Sequence, residues 1–450
     1  MQARAEVPSI AALALVLTLQ LACGGSGGQP SSTGQSPEAL WLRANAVPLS
    51  QVDPEASLDD LEPLRQMVGD ARVVALGEAT HGTSEFFRMK HRILRFLVER
   101  MGFSAFAIEA SWPEANRVDA YVRTGEGDPA VLLSGLYFWT WNTSEVLDMI
   151  RWIRRHDSAG GSVGFYGFDM QFPGMAIDNV SRFVEAADGR AAAEFTEHLD
   201  CLAPFANDAS GRFSREYGPQ PQAYRDGCLA DLHWVEDTLL AKRQPYTART
   251  SEAEWARAAR SARVAIQYEQ MASNRVTRDA SMADNASWLL DQLGPQGRIV
   301  LWAHNYHVST YSGSMGSVLR PKLGTQLFIL GFDFARGSFT AVKQSGSTYQ
   351  GLATVTADEP KPSSYEEYFS SAGLPEFLLD LRGRALDTPD SSWLAGPRSS
   401  RSLNIGCCYD ASLASGYWQP LQLPQLFDAV VFFENSTPSA VLPFRYPATF

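Results

Sequence analysis

Histidine is scarce, with 7 in 450 residues, and cysteine is scarcer still at 5. No Cys-x-x-Cys pair and no mixed Cys/His cluster occurs, so a structural zinc site of the finger or ribbon type has no ligands to build on. Basic side chains are also short. The 38 Lys and Arg stand against 50 Asp and Glu, a formal net charge of −12. A nucleic-acid binder needs the opposite balance, and that class is set aside. No apolar run approaches the ~20 residues of a membrane-spanning helix. What is present is core material: 45% hydrophobic and 11% aromatic residues exclude disorder over most of the length. The chain is long enough for one large domain or two or three ordinary ones.

Met1 to Ala22 reads as a secretory leader, with Arg4 as its basic residue and an apolar stretch from Ile10 to Ala22. Cys23 follows, then Gly24-Gly25-Ser26-Gly27-Gly28. The junction resembles a bacterial lipoprotein signal, in which the Cys becomes the lipidated N-terminus. Gln20, three before the Cys where an aliphatic residue is usual, and Glu6 in the basic region both depart from that pattern. The expectation is an extracytoplasmic protein of the cell envelope, attached to the membrane through a lipidated Cys23 or secreted into the periplasm with a free thiol. Residues 23–38 are Gly/Ser/Gln/Pro-rich and read as a flexible tether. Cys201 and Cys228 flank a loop-rich stretch and could form a disulfide in an oxidising compartment. Cys407 and Cys408 read equally well as small buried hydrophobes.

Beyond the tether there is no second linker and no internal repeat, so residues 39–450 read as one domain. Short continuous apolar runs mark strands at 72–76, 103–108, 163–168, 298–302, 326–330 and 429–433. A helical pattern covers Ser84 to Arg100, and another fills about 175–293. Apolar strands joined by helices predict an α/β fold, with a largely parallel central sheet flanked by helices and a helical insertion or cap between strands.

In such a sheet, ligands bind beyond the carboxyl ends of the strands. The first strand delivers Gly77-Glu78-Ala79-Thr80-His81-Gly82 there, the second Glu109, the third Asp169 and the fourth His304-Asn305-Tyr306-His307. Three of the seven His and three carboxylates thus fall at one inferred edge. His81 is the candidate general base, because imidazole titrates near neutral pH, and Glu78 is placed to orient it. A helical turn at His304 would bring His304 and His307 to the same side. Lys90, Arg88 and Asp169 are candidate substrate-binding groups; solvated helix-face charges for the first two and structural hydrogen bonding for the third are the alternatives. Gly160-Gly161-Ser162-Val163-Gly164 matches a G-x-S-x-G pattern but precedes a strand, whereas a nucleophile elbow lies on a strand-to-helix turn. His-Asn-Tyr-His is not a zincin motif.

With these residues in view, the chain from about Leu40 to Phe450 resembles the erythromycin esterase family. The resemblance rests on Gly77 to Phe87 with Lys90, Ala107-Ile108-Glu109-Ala110, Gly167-Phe168-Asp169-Met170, and Arg278-Asp279 with Met282-Ala283-Asp284-Asn285. Further blocks are Trp302 to His307, and Phe427-Asp428-Ala429-Val430 with Thr437-Pro438. It implies hydrolysis of a macrolide-type lactone ester without a serine nucleophile or an essential metal. The family's base then matches His81, its neighbouring acid Glu78, its second-strand acid Glu109, and its later pair His304 and His307. A basic position on the first helix falls at Lys90, where other members carry Arg and a Lys loses bidentate geometry.

The expected activity is therefore attack on a carboxylic ester or lactone by a His-activated water, with no cofactor and a small-molecule substrate. Two rivals share the same residues. One is a metal-dependent hydrolase with His81, Glu109, His304 and His307 around a divalent ion. The other is a non-catalytic lipoprotein that binds a small molecule.

Overall fold

The computed structural model describes residues 36–206, 216–383 and 389–445. The leader, Cys23 and most of the tether lie outside the described residues. The tether's last two positions belong to a helix, Pro37–Asn45, which Ser36 caps through its side chain. No helix among the described residues is long and apolar enough to cross a membrane.

The strands are, in chain order, β1 (Val47–Pro48), β2 (Val73–Leu76), β3 (Ala105–Ser111), β4 (Gly164–Asp169), β5 (Ile299–Trp302) and β6 (Leu327–Ser345). They continue with β7 (Thr348–Thr356), β8 (Glu376–Asp380), β9 (Arg398–Ser400), β10 (Cys408–Tyr409), β11 (Gln419–Leu421) and β12 (Ala429–Ser436). The main sheet runs β1-β8-β12-β6-β2-β5-β3-β4. From β12 to β4 every neighbouring pair is parallel, while β8 and β1 close one side antiparallel. The far half of β6 pairs separately with β7 and β10. The fold is thus the largely parallel α/β sheet that the apolar runs imply.

Both faces of the parallel strands are buried, and this explains why their sequences do not alternate with polar residues. Val73, Ala75, Ile299 and Leu301 pack into one core; Val74, Leu76, Val300 and Trp302 pack into the other. Over the second core lies the Ser84–Met101 helix, which begins at Thr83 and ends at Gly102 in a left-handed cap. Over the first lie helices of the insertion between β4 and β5, including Gly174–Asp188, Gln222–Ala241, Glu252–Ala272 and Arg278–Gln292. A disulfide joins Cys201 to Cys228 within this insertion.

Register decides where the chemistry sits. Leu76 and Ile108 both pair with Trp302 of β5, so three strands reach the same level together. Glu78 lies two residues past that level, Glu109 one and His304 two. Glu109 stands inside β3 rather than after it, because β3 extends to Ser111 with a register shift against β4 between Ile108 and Ser111. Such irregularities re-aim side chains beside sites.

The loop after β2 is pinned by close backbone approach. The carbonyl of Gly82 accepts from the N–H of both Thr340 and Ser439, and a Cβ at Gly82 would lie 1.9 Å from the Thr340 carbonyl oxygen. A Gly82→Ala substitution must push the loop off β6. Overpacking of this kind costs about 1–3 kcal/mol. Urea unfolding should show a loss of that size, and a variant as stable as the parent would contradict this close packing.

Candidate active site

The centre of the site is a carboxylate with no access to water. Glu78 is 0% exposed. Its Oε1 lies 2.6 Å from Nδ1 of His81, and its Oε2 accepts from Lys90 Nζ at 2.5 Å and from Trp302 Nε1 at 2.7 Å. Burial alone would raise the Glu78 pKa, but the charges of Lys90 and His81 and their hydrogen bonds overcome it and hold the acid below its ordinary value. Lys90 is equally buried and its pKa is pushed down to about 8, by burial first, with Glu78 opposing. It stays charged at neutral pH, over the Trp302 ring at 4.4 Å from the ring centre. An ionised Glu78 can only accept, so Nδ1 of His81 carries the proton and Nε2 is left as the free ring nitrogen.

His81 opens onto a cavity of about 350 Å³. Glu109, Arg278 and His307 line it with His81, and Phe138, Trp139 and Trp141 form an aromatic wall. Thr140, Gln171 and Cys407 complete the lining. Trp141 is fixed by its Nε1, which donates to the Glu109 carbonyl at 2.9 Å.

Glu109 Oε1 accepts from Arg278 Nη2 at 2.6 Å and lies 3.4 Å from His307 Nε2; its Oε2 accepts from the backbone N–H of His304 at 3.0 Å. Burial would raise this acid, but His307, Arg278 and His81 together hold it far below the carboxylate range. Arg278 comes from the first turn of the Arg278–Gln292 helix, whose N-cap is Thr277. It also meets Asp169, with Nη2 at 2.7 Å from Oδ2. Burial would lower its pKa, but the two carboxylates, Asp169 ahead of Glu109, raise it further. Arg278 Nη1 faces His307 Nε2 at 3.2 Å, while His307 Nδ1 meets Asp279 Oδ1 at 2.8 Å.

The site residues expected from sequence divide accordingly. His81, Glu109 and His307 face the cavity, with Glu78 directly behind His81. His304 packs beside them, its ring centre 5.1 Å from that of His81, but it does not line the cavity. The helix here is Asn305–Val308, and His304 is its N-cap, with Nδ1 accepting from the Tyr306 N–H at 3.1 Å and Nε2 bonded to the Ile405 carbonyl at 3.0 Å. Burial first, then the neighbouring His81 and His307, lower its pKa to about 3, so it is neutral and both nitrogens are occupied. It therefore offers the cavity neither a proton nor a lone pair, and the four-residue metal ligand set drawn from sequence is not assembled. Among the described residues no three His, Cys, Asp or Glu side chains are grouped as a metal ion requires.

Three substrate-binding expectations are corrected. Lys90 lies beneath Glu78 and does not reach the cavity. Asp169 is covered by Arg278. Arg88 points away: it lies 3.9 Å from Asp53 and lines a different cavity with Glu55, Ser144 and Arg155. Residues two apart on a helix point in nearly opposite directions, so Lys90 and Arg88 could not both serve one pocket. Sequence reasoning missed Arg278 and Asp279 as site residues, although they were quoted in the resemblance, and it missed the Phe138–Trp141 wall. The available signal was Thr277 as a helix cap with Arg278 immediately after it.

Comparison with known proteins agrees with this architecture. The family model described as erythromycin esterase matches residues 98–436. The protein YbfO of Bacillus subtilis (strain 168) is 22% identical over 432 residues, covering 89% of this chain and 92% of its own. Erythromycin esterase type II of Escherichia coli is 23% identical over 375 residues, covering 76% of this chain and 88% of its own. A solved structure of a mutant erythromycin esterase, EreC, in its open conformation superposes with a TM-score of 0.68 at 18% identity. That match covers 87% of this chain and 98% of EreC, and it shows the shared fold.

Buried neutral histidines give a stability signature in mild acid. His91, like His304, is held to about 3, by burial first and then by Arg95 and Arg155. From an ordinary value of 6.5 downward, the unfolded chain binds protons on both rings that the folded chain refuses until about pH 3. Stability therefore falls as pH falls through that window. His304→Asn keeps a capping oxygen and removes one ring. The loss between pH 6.5 and 4.5, read by denaturant titration at each pH, should shrink by that ring's share; an unchanged slope would contradict the buried neutral ring.

Proposed function

The chain belongs to the erythromycin esterase family, and from that premise we propose that it hydrolyses a carboxylic ester or a macrolide-type lactone with a water molecule activated by His81. Family membership supports a hydrolase; the mechanism and the substrate class are the reading argued here. The observation that carries it is the ordered chain of Lys90, Glu78 and His81, which ends in an imidazole that lines a cavity.

In the first step, Nε2 of His81 takes a proton as the water oxygen attacks the carbonyl carbon. The imidazolium that forms is stabilised by the Glu78 carboxylate on its other nitrogen, the role an acid plays behind a histidine base. The developing oxyanion needs donors on the cavity surface. Arg278 is the cationic donor on that surface. Glu109 holds Arg278 against the cavity and keeps its charge there. Collapse of the tetrahedral intermediate breaks the carbon–oxygen bond, and the leaving alkoxide recovers its proton from His81. The products are a carboxylic acid and an alcohol, or one hydroxy acid from a lactone. The wall of Phe138, Trp139 and Trp141 suits a mostly apolar substrate.

No residue in this scheme requires a cofactor, and the proposal includes an envelope location, which is supported by the sequence of residues 1–28.

The test is hydrolysis of aryl esters and macrolides by parent, His81→Ala and Glu78→Gln proteins, with and without chelator. Loss of a general base costs about 10²–10⁴-fold in kcat. His81→Ala should lose that much with its circular dichroism unchanged, and chelator should leave the parent's rate intact. A folded His81→Ala protein within a few-fold of the parent would overturn the base assignment. Loss of activity to chelator, restored by zinc, would overturn the metal-free scheme.

A further inference from the structure

The adjacent cysteines 407 and 408 remain outside the scheme above, yet Cys407 lines the same cavity as His81. The two form a disulfide between neighbours in the chain, with Cα atoms 3.8 Å apart. A bond between consecutive residues closes a small ring through the peptide link and removes rotation from both side chains.

The surrounding loop is tied to the catalytic strands at several points. The Cys407 carbonyl accepts from Val342 N–H at 2.9 Å, and Cys408 pairs with Val342 in the β10–β6 ladder. One residue before Gly406, the Ile405 carbonyl takes the ring bond of His304. Three residues further back, the Ser402 carbonyl accepts from the Asn305 side chain at 2.9 Å. The loop that carries the sulfurs is thus braced against the segment that carries His304 and His307. A backbone fixed on both sides of a disulfide holds Cys407 at a set position on the cavity that His81 also lines.

We propose that the Cys407–Cys408 disulfide is a specificity-determining wall of the cavity, against which an apolar part of the ester substrate packs, and that it serves in the oxidised form. This rests on the ester-hydrolase reading of the cavity. Sulfur is polarisable and makes favourable contact with apolar and aromatic groups, so the pair extends the surface begun by Phe138 and Trp141. Two separate thiols would rotate independently and present weak hydrogen-bond donors in its place. The second disulfide, Cys201–Cys228, fits the same oxidising compartment.

A trialkylphosphine reductant cleaves such a bond with balanced chemistry. The phosphorus gives two electrons and takes an oxygen from water, and each sulfur leaves with one of the water protons. The experiment uses the full chain purified without reductant. Peptide mapping should find Cys407 and Cys408 linked rather than as two free thiols. A Cys407→Ser/Cys408→Ser protein should show KM for aryl esters raised by about tenfold, the scale of one lost pocket contact, with kcat nearly unchanged. Phosphine should reproduce that rise in the parent and add nothing to the double variant. A Cys201→Ser/Cys228→Ser protein separates this from a general effect of losing a disulfide, and its KM should stay at the parent value. Free thiols in the map, or an unchanged KM in both the double variant and the reduced parent, would overturn the proposal. A parent inactive on every ester and lactone would instead overturn the hydrolase reading and the substrate contact built on it, and the peptide map would still decide whether the bond exists.

Discussion

A charged carboxylate cut off from water has to be neutralised where it stands, and this constraint at Glu78 organises the site. Lys90 from the Ser84–Met101 helix supplies the charge, Trp302 from β5 supplies an N–H, and His81 takes the remaining oxygen. Removing one partner from such a buried pair leaves an uncompensated charge, which typically costs about 3–5 kcal/mol. The helix, the sheet and the loop after β2 are therefore bound into one unit by the group that orients the candidate base. Trp302 does this twice, since its N–H meets the acid while its ring lies under the Lys90 ammonium.

Arg278 makes the corresponding link on the other side of the cavity. It belongs to the helical insertion, but its partners are Glu109 on β3, Asp169 at the end of β4 and His307 just after β5. Three strand ends and the insertion thus meet at one guanidinium. His307 meets Arg278 through Nε2 and Asp279 through Nδ1. The cavity is bordered by two histidines, each backed by a carboxylate, with Arg278 and Glu109 beside the second. That arrangement separates a buried, pre-set base from the fixed positive charge available to a developing anion.

Much of this was legible in the sequence, for a specific reason. Short continuous apolar runs bounded by turn residues read as strands covered on both faces, and the polar residues that follow them then lie at the carboxyl ends of the sheet. Glu78, His81 and Glu109 were found in that way. The position of β5 between β2 and β3 was not, because parallel neighbours are chosen by crossover connections that leave no local pattern. His304 lies beside the cavity without lining it, because it caps the Asn305–Val308 helix and both its ring nitrogens are bonded to backbone. Arg278 was passed over because its helix read only as part of the insertion or cap, and the reach of a long side chain across to three strands does not show in spacing. Asp169 was correctly located and wrongly employed: it holds Arg278 in place rather than meeting a ligand.

The claim on which the account turns is that Glu78 is ionised and fixes the His81 proton on Nδ1, so that Nε2 is bare toward the cavity. Nitrogen-15 NMR of histidine-labelled protein, with the His81 signals assigned by their loss in the His81→Asn variant, reads this directly. The account predicts that the neutral His81 ring carries its proton on Nδ1 and leaves Nε2 unprotonated. A proton on Nε2 with Nδ1 bare would contradict it, because Glu78 would then be facing His81 without a hydrogen to accept.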